Sequence, residues 1–245
     1  MPEAKSLPPA PAPPFEPLAA PQPLLDLPIA DGNPAVVSLP LGSTAPRPHL
    51  VVTHGAGGSP RTHCRRWRVI VGDRGFILCT AGSRIYPYGP DDEDARFFYN
   101  GHPALGAEIE RALAALSERF GDRVDLAEPI FAGFSQGASM GSMVLPRHPA
   151  RFARAALVEG GFGQYQEWNI AAARRFRDQG GARVLLVCGR VKCLEHARQT
   201  ASYLRQGGLE AKVTYAQGAG HSYGDIMERE LSSTFPWLTE GDPRW

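Results

Sequence analysis

The chain has 245 residues, 43% of them hydrophobic, and a formal net charge of +1. That length and apolar content suit a globular domain with a sizeable core, and the near-neutral charge removes any electrostatic reason to expect nucleic acid as a partner. No apolar stretch approaches the ~18 residues that a membrane-spanning helix requires, and neither H-E-x-x-H nor paired C-x-x-C occurs, so no metal or organic cofactor is expected.

Ten of the 23 prolines fall in residues 1–28. Such a segment stays extended and buries no core. Residues 1–33 are therefore expected to be a Pro-rich extended or disordered tail, and 34–245 the folded domain. No basic start followed by an apolar run reads as a signal peptide. That points to the cytoplasm, whereas a processed or misassigned start points to the periplasm or to secretion; both readings stay open.

From residue 36 the chain alternates strand and helix patterns, as a mostly parallel sheet flanked by helices requires. Val36–Leu39 and His49–Thr53 read as buried strands, the second running into His54-Gly55-Ala56-Gly57-Gly58. A helix near 61–72 carries Arg61, Arg65, Arg66 and Arg68, and a strand follows near 75–80. The segment from Ile85 to Tyr99 is aromatic and acidic. It reads as one wall of a cleft, with Tyr86 and Tyr88 offering aromatic faces to a ligand. A helix around 105–113 precedes the strand Pro129–Ala132. Helices near 136–147, 169–179, 193–207 and 224–234 then alternate with strands at 155–158, 183–188 and 211–215. The connection after Glu159 is too short for a large cap domain, and Trp168 is placed on the opposite cleft wall.

Three segments carry chemistry. Gly133-Phe134-Ser135-Gln136-Gly137 sits between a strand and a helix. This is the G-x-S-x-G turn, whose glycines permit a bend too sharp for side chains and whose serine stands exposed at the apex. The glycine loop at 54–58 lacks the phosphate-binding signatures. It suits a second role: a tetrahedral acyl-transfer intermediate needs two pre-positioned donors for its oxyanion. Main-chain N–H groups of Ala56 and Gln136 are the candidates. Gly218-Ala219-Gly220-His221-Ser222-Tyr223 follows the last strand and presents His221 as a general base, while His54 is expected to order its own loop.

With HGAGG at 54–58, GFSQGA at 133–138 and GAGHSYG at 218–224, the chain resembles the α/β-hydrolase superfamily over roughly residues 34–240, about one domain's length. The serine turn is similar to that of the carboxylesterase/phospholipase and polyhydroxyalkanoate-depolymerase-like branches. The resemblance implies Ser135 as nucleophile, His221 as base, Ala56 and Gln136 as oxyanion donors, and a small-molecule ester as substrate. A serine peptidase on the same fold is the nearest alternative.

The chain departs from the family at the triad acid. The position that usually holds an aspartate, after the strand at 183–188, holds Lys192. A lysine cannot accept the histidine's hydrogen bond. Glu159, at the preceding strand end and followed by Gly160-Gly161, leads as the replacement, ahead of Glu195, of Asp225 and of no acid at all. The vacancy also keeps alive a degenerate binding protein without turnover. Cys64, Cys79, Cys188 and Cys193 allow three pairings, and disulfides and free thiols stand level as readings.

Overall fold

The apolar runs of the chain pair into one large sheet because a strand buried on both faces has nowhere else to place its backbone polar groups. The computed structural model describes residues 15–85, 95–148, 152–162 and 167–245. In chain order the strands are β1 (Leu24–Leu27), β2 (Ala35–Ser38), β3 (His49–Thr53), β4 (Phe76–Cys79), β5 (Ser83–Ile85), β6 (Arg96–Phe98), β7 (Ile130–Phe134), β8 (Arg154–Val158), β9 (Arg183–Cys188) and β10 (Glu210–Tyr215). Eight of them form the sheet, in the order β1-β2-β4-β3-β7-β8-β9-β10. From β4 to β10 all neighbours are parallel, and β2 joins β4 and β1 antiparallel.

Six helices cover the two faces: α1 (Pro60–Val71), α2 (His102–Phe120), α3 (Gln136–Val144), α4 (Ile170–Asp178), α5 (Val191–Gln206) and α6 (Asp225–Thr239). The pleat sorts the core. Leu50, Val52, Ile77 and Ile130 face α1 and α6 with Trp67, Met227 and Phe235. Val51, Leu78 and Phe131 face the layer of α2 to α5 with Leu105, Ile109, Phe176 and Leu204. Local signals set the helix ends. Ser59 caps α1 by accepting from the Thr62 N–H, with Pro60 in the first turn and Gly72 beyond the end at φ 64°. The α1 arginines are tied to neighbours: Arg66 to Asp225 and Glu228, Arg68 to Asp73, Ser38 and Leu39.

One expectation changes and another lies outside the described residues. The strand β1 lies inside the segment assigned to the Pro-rich tail, paired with β2 from Leu24↔Ser38 to Leu27↔Ala35. Folded structure therefore starts before residue 34. An edge strand needs ladder donors on one side only, so the flanking Pro21, Pro23 and Pro28 do not prevent it. Within the aromatic segment, residues 86–94, including Tyr86 and Tyr88, lie outside the described residues. The part that follows forms β6, whose Phe97 is buried, and then Tyr99, also buried. Phe97 and Tyr99 thus pack into the body rather than facing solvent. The cysteines pair as Cys64–Cys79, joining α1 to β4, and Cys188–Cys193, joining the end of β9 to the first turn of α5.

Two core-facing histidines give the fold a pH dependence. Loss of hydration on burial pushes the His63 imidazole down to about 3 and that of His49 down to about 4. Both folded-state values lie below the unfolded value of about 6.5. The unfolded chain therefore binds more protons as pH drops below about 6.5, and stability declines until the folded values are reached. Calorimetric unfolding should show a Tm that falls between about pH 7 and about pH 5. Replacing both with His49→Gln and His63→Gln should lower the proton uptake on unfolding near pH 5 by about two.

Candidate active site

The site grows from the carboxyl edge of the parallel strands. Ser135 directly follows β7 with φ 50° and ψ −112°, a left-handed backbone that a non-glycine residue adopts only under constraint. The constraint is close packing. A Cβ on Gly133 would stand 2.7 Å from the Ala138 backbone, and one on Gly137 would stand 2.5 Å from Thr53 Oγ1 and 2.6 Å from the His54 carbonyl oxygen. The Ser135 N–H donates to Val158 O at 2.8 Å, and the Gly137 N–H to His54 O at 3.0 Å. These two bonds pin the turn to β8 on one side and to the glycine loop on the other.

His221, on the loop after β10, faces Ser135: its Nε2 is 2.9 Å from Ser135 Oγ. Its Nδ1 is 2.8 Å from Glu159 Oε2. Glu159 follows β8 at φ 53°, and its side chain is fully covered. Four donors saturate it. The N–H groups of Gly189 and Arg190 donate to Oε1 at 2.6 and 3.1 Å, and the Arg190 guanidinium and His221 reach Oε2. Burial pushes the Glu159 pKa up and is the largest single influence. The bonds from His221, Gly189 and Arg190 together outweigh it and hold the carboxyl below its usual value. The two rival carboxylates are not brought here. Asp225 is 78% exposed and pairs with Arg66, and Glu195 is exposed on α5.

The glycine loop lies beside the serine. Its Gly57 N–H donates to Phe97 O and its Gly58 N–H to Gly55 O, whereas among the described residues the N–H groups of Ala56 and Gln136 meet no acceptor. The buried His54 ring orders this loop, lying 2.8 Å from Gly55 O and 2.7 Å from Ala81 O. Burial lowers its pKa, so the ring is neutral near pH 7 and donates to one of the two. The Gln136 side chain pairs with both main-chain groups of Tyr99, at 3.0 and 3.2 Å. A cavity of about 710 Å³ opens from Ser135, its lining including the apolar Met140, Met143 and Phe162 and the polar Arg190, Lys192 and His196.

Trp168 is a correction. It is 2% exposed and packs on Phe176 at 5.7 Å between ring centroids, so it fills the core under α4 rather than walling the cleft. Arg190 was not foreseen. Its trace in the sequence is the preceding Gly189, where a Cβ would collide with the Gly220 carbonyl. The loops after β9 and β10 must therefore touch, which places Arg190 beside the His221 loop. The sulfurs of Cys188 and Cys193 lie near the Glu159 carboxylate. They are bonded to each other and so are not thiolate ligands for a metal.

Solved structures superpose on this fold over most of its length. A fluorophosphonate-binding serine hydrolase of Staphylococcus aureus, FphF, aligns with TM-score 0.63 at 13% identity, over 89% of this chain and 97% of its own. A dienelactone hydrolase-like promiscuous phosphotriesterase from metagenomic libraries aligns with TM-score 0.61 at 16% identity, over 88% and 98%. The chain has the α/β-hydrolase fold. TT1662 from Thermus thermophilus shares the fold at TM-score 0.59 and 21% identity, over 89% and 98%. No protein-family model and no curated protein sequence matches the chain. As in a hydrolase fold without a large cap, no separate cap domain stands over the strand edge among the described residues.

The serine turn of the hydrolase fold is testable through its glycines. Gly137→Ala forces a methyl group onto the Thr53 and His54 main chain, which cannot yield cheaply. Chemical denaturation should register a loss of about 2 kcal/mol or more. A variant as stable as the parent would show that the turn is looser than its contacts indicate.

Proposed function

We propose that this chain is a serine hydrolase that cleaves carboxylic esters of small molecules through an acyl-enzyme on Ser135. The observation that carries the reading is the unbroken relay from Glu159 through His221 to Ser135, with contacts of 2.8 and 2.9 Å. In this reading Ser135 Oγ attacks the ester carbonyl as His221 Nε2 takes its proton. Glu159 accepts from Nδ1, fixing the tautomer and stabilising the imidazolium as it forms. The carbonyl oxygen gains negative charge next to the Ala56 and Gln136 N–H groups, whose lack of internal acceptors leaves them ready to donate. The protonated His221 then gives its proton to the leaving alcohol. Water, activated by the same ring, attacks the acyl carbonyl and releases the acid.

The Glu159 contact weakens the motive for a degenerate binding protein, which rested on the lysine at the usual acid position. The carboxylate has moved to the end of β8, and its low pKa keeps it ionised near neutral pH. No step of this chemistry calls for a metal or an organic cofactor.

Two variants test the relay. A fluorophosphonate probe should label the protein at Ser135, and Ser135→Ala should abolish labelling and reduce kcat on nitrophenyl esters by about a million-fold. Ester turnover persisting at the parental rate would sink the assignment. Glu159→Gln keeps the shape but loses the charge and lets the histidine adopt the wrong tautomer. Its kcat should fall by about a thousand-fold or more, with Glu195→Gln and Asp225→Asn close to the parent. A Glu159→Gln enzyme that retains most of its activity would place the acid elsewhere.

A further inference from the structure

We infer that the cleft beside Ser135 recognises an anion, and that the substrate is an ester whose acyl part ends in a carboxylate held by Lys192. The inference rests on the serine-hydrolase reading and adds the substrate class. Its first support is the charge of the cavity lining. Among the described residues around the cavity, Glu159 is the one carboxylate. Its side chain is fully covered and already engaged by Arg190 and His221. Arg190 therefore has its counter-charge. Lys192 has none: it lines the same cavity, is exposed, and makes no ion pair, including with Glu195 one turn along α5. Among the described lining residues, Arg190 and Lys192 stand against the single carboxylate of Glu159.

Local helix electrostatics do not favour that cation. Lys192 lies in the first turn of α5, which has no acidic residue and no side-chain cap. The partial positive charge at a helix N-terminus favours carboxylates there and disfavours ammonium groups. A residue that goes against its helix while facing a catalytic cleft points to a ligand that reverses the sign. The remaining lining fixes the ligand's other features. Met140, Met143 and Phe162 give the cavity apolar lining, and His196 stacks on Phe162 at 5.9 Å with planes 5° apart. Ser135 and Lys192 line the same cavity, so the inferred ligand joins a carbonyl at Ser135 to a terminal anion at Lys192 through a short methylene chain. A lysine ammonium acts as a compact charge that meets a carboxylate without a fixed fork geometry.

The experiment compares two esters of matched chain length, 4-nitrophenyl hemiglutarate and 4-nitrophenyl valerate, using the full chain with Ser135 labelling by a fluorophosphonate as a parallel measurement. The parent should favour the hemiglutarate in kcat/KM. Lys192→Gln should lower the hemiglutarate-to-valerate ratio by about tenfold, the scale of one charge-assisted hydrogen bond. Lys192→Glu should lower it further. The parental preference should also shrink in about 1 M salt, where the screening length is ~3 Å. If both esters turn over and the ratio is the same in the parent and both variants, the anion site is overturned while the hydrolase reading stands. If neither ester turns over and Ser135 takes no label, the hydrolase reading fails and this inference fails with it.

Discussion

The arrangement at the strand edge depends on one buried carboxylate and the four donors that surround it. Glu159 is removed from water, and an ionised carboxylate in that position without partners would destabilise the fold by several kcal/mol. Gly189 and Arg190 supply main-chain donors, and Arg190 and His221 supply side-chain ones. The left-handed backbone at Glu159 aims the carboxylate at these groups. Gly160 follows because a Cβ there would strike the Ser135 carbonyl oxygen. The Cys188–Cys193 bond closes the short loop that carries three of the four donors. One electrostatic requirement thus dictates a backbone conformation, two glycines and a crosslink.

The same economy holds on the nucleophile side. Gly133 and Gly137 are bare because β3, β7 and α3 approach to backbone contact there. The Gln136 side chain fastens this turn to Tyr99, whose hydroxyl lies against Thr80 and accepts from the His54 N–H. The segment after β6, the glycine loop and the serine turn are therefore held through one buried tyrosine. Polar groups so joined rigidify a site when each has a partner. Phe134 adds apolar support, lying 5.2 Å from the His221 ring and 5.0 Å from Tyr223 between centroids.

Much of this was legible in the chain because it leaves steric traces. Parallel strands buried on both faces must be continuous apolar runs, so six of the sheet's strands announce themselves between His49 and Tyr215. The serine turn is legible because no other residues fit its contacts. Glu159 could be favoured because two glycines follow a strand end, although the usual acid position pointed elsewhere. Legibility failed where tertiary packing overrides local pattern. The strand at Leu24–Leu27 is hidden among prolines that an edge position tolerates. Trp168 looks like a cleft aromatic by its place after Gly160-Gly161. Whether it faces solvent or Phe176 is decided by how α4 docks, which no nearby residue encodes. Arg190 escaped notice because its role comes from a neighbouring loop thirty-one positions away.

The order in which these residues occur along the chain has a consequence for biosynthesis. Ser135 and His221 are 86 positions apart, and Glu159 and His221 are 62. Translation delivers Ser135 first, then Glu159, and His221 only after β10 has emerged. A nascent chain that has completed β3, β7 and β8 can already form the serine turn, yet it has nothing to accept the hydroxyl proton. Domains fold as units while synthesis proceeds from the N-terminus, and non-local parallel pairings come late. In the proposed mechanism, reactivity is therefore withheld until the last strand has docked, and a polypeptide released early carries Ser135 without His221.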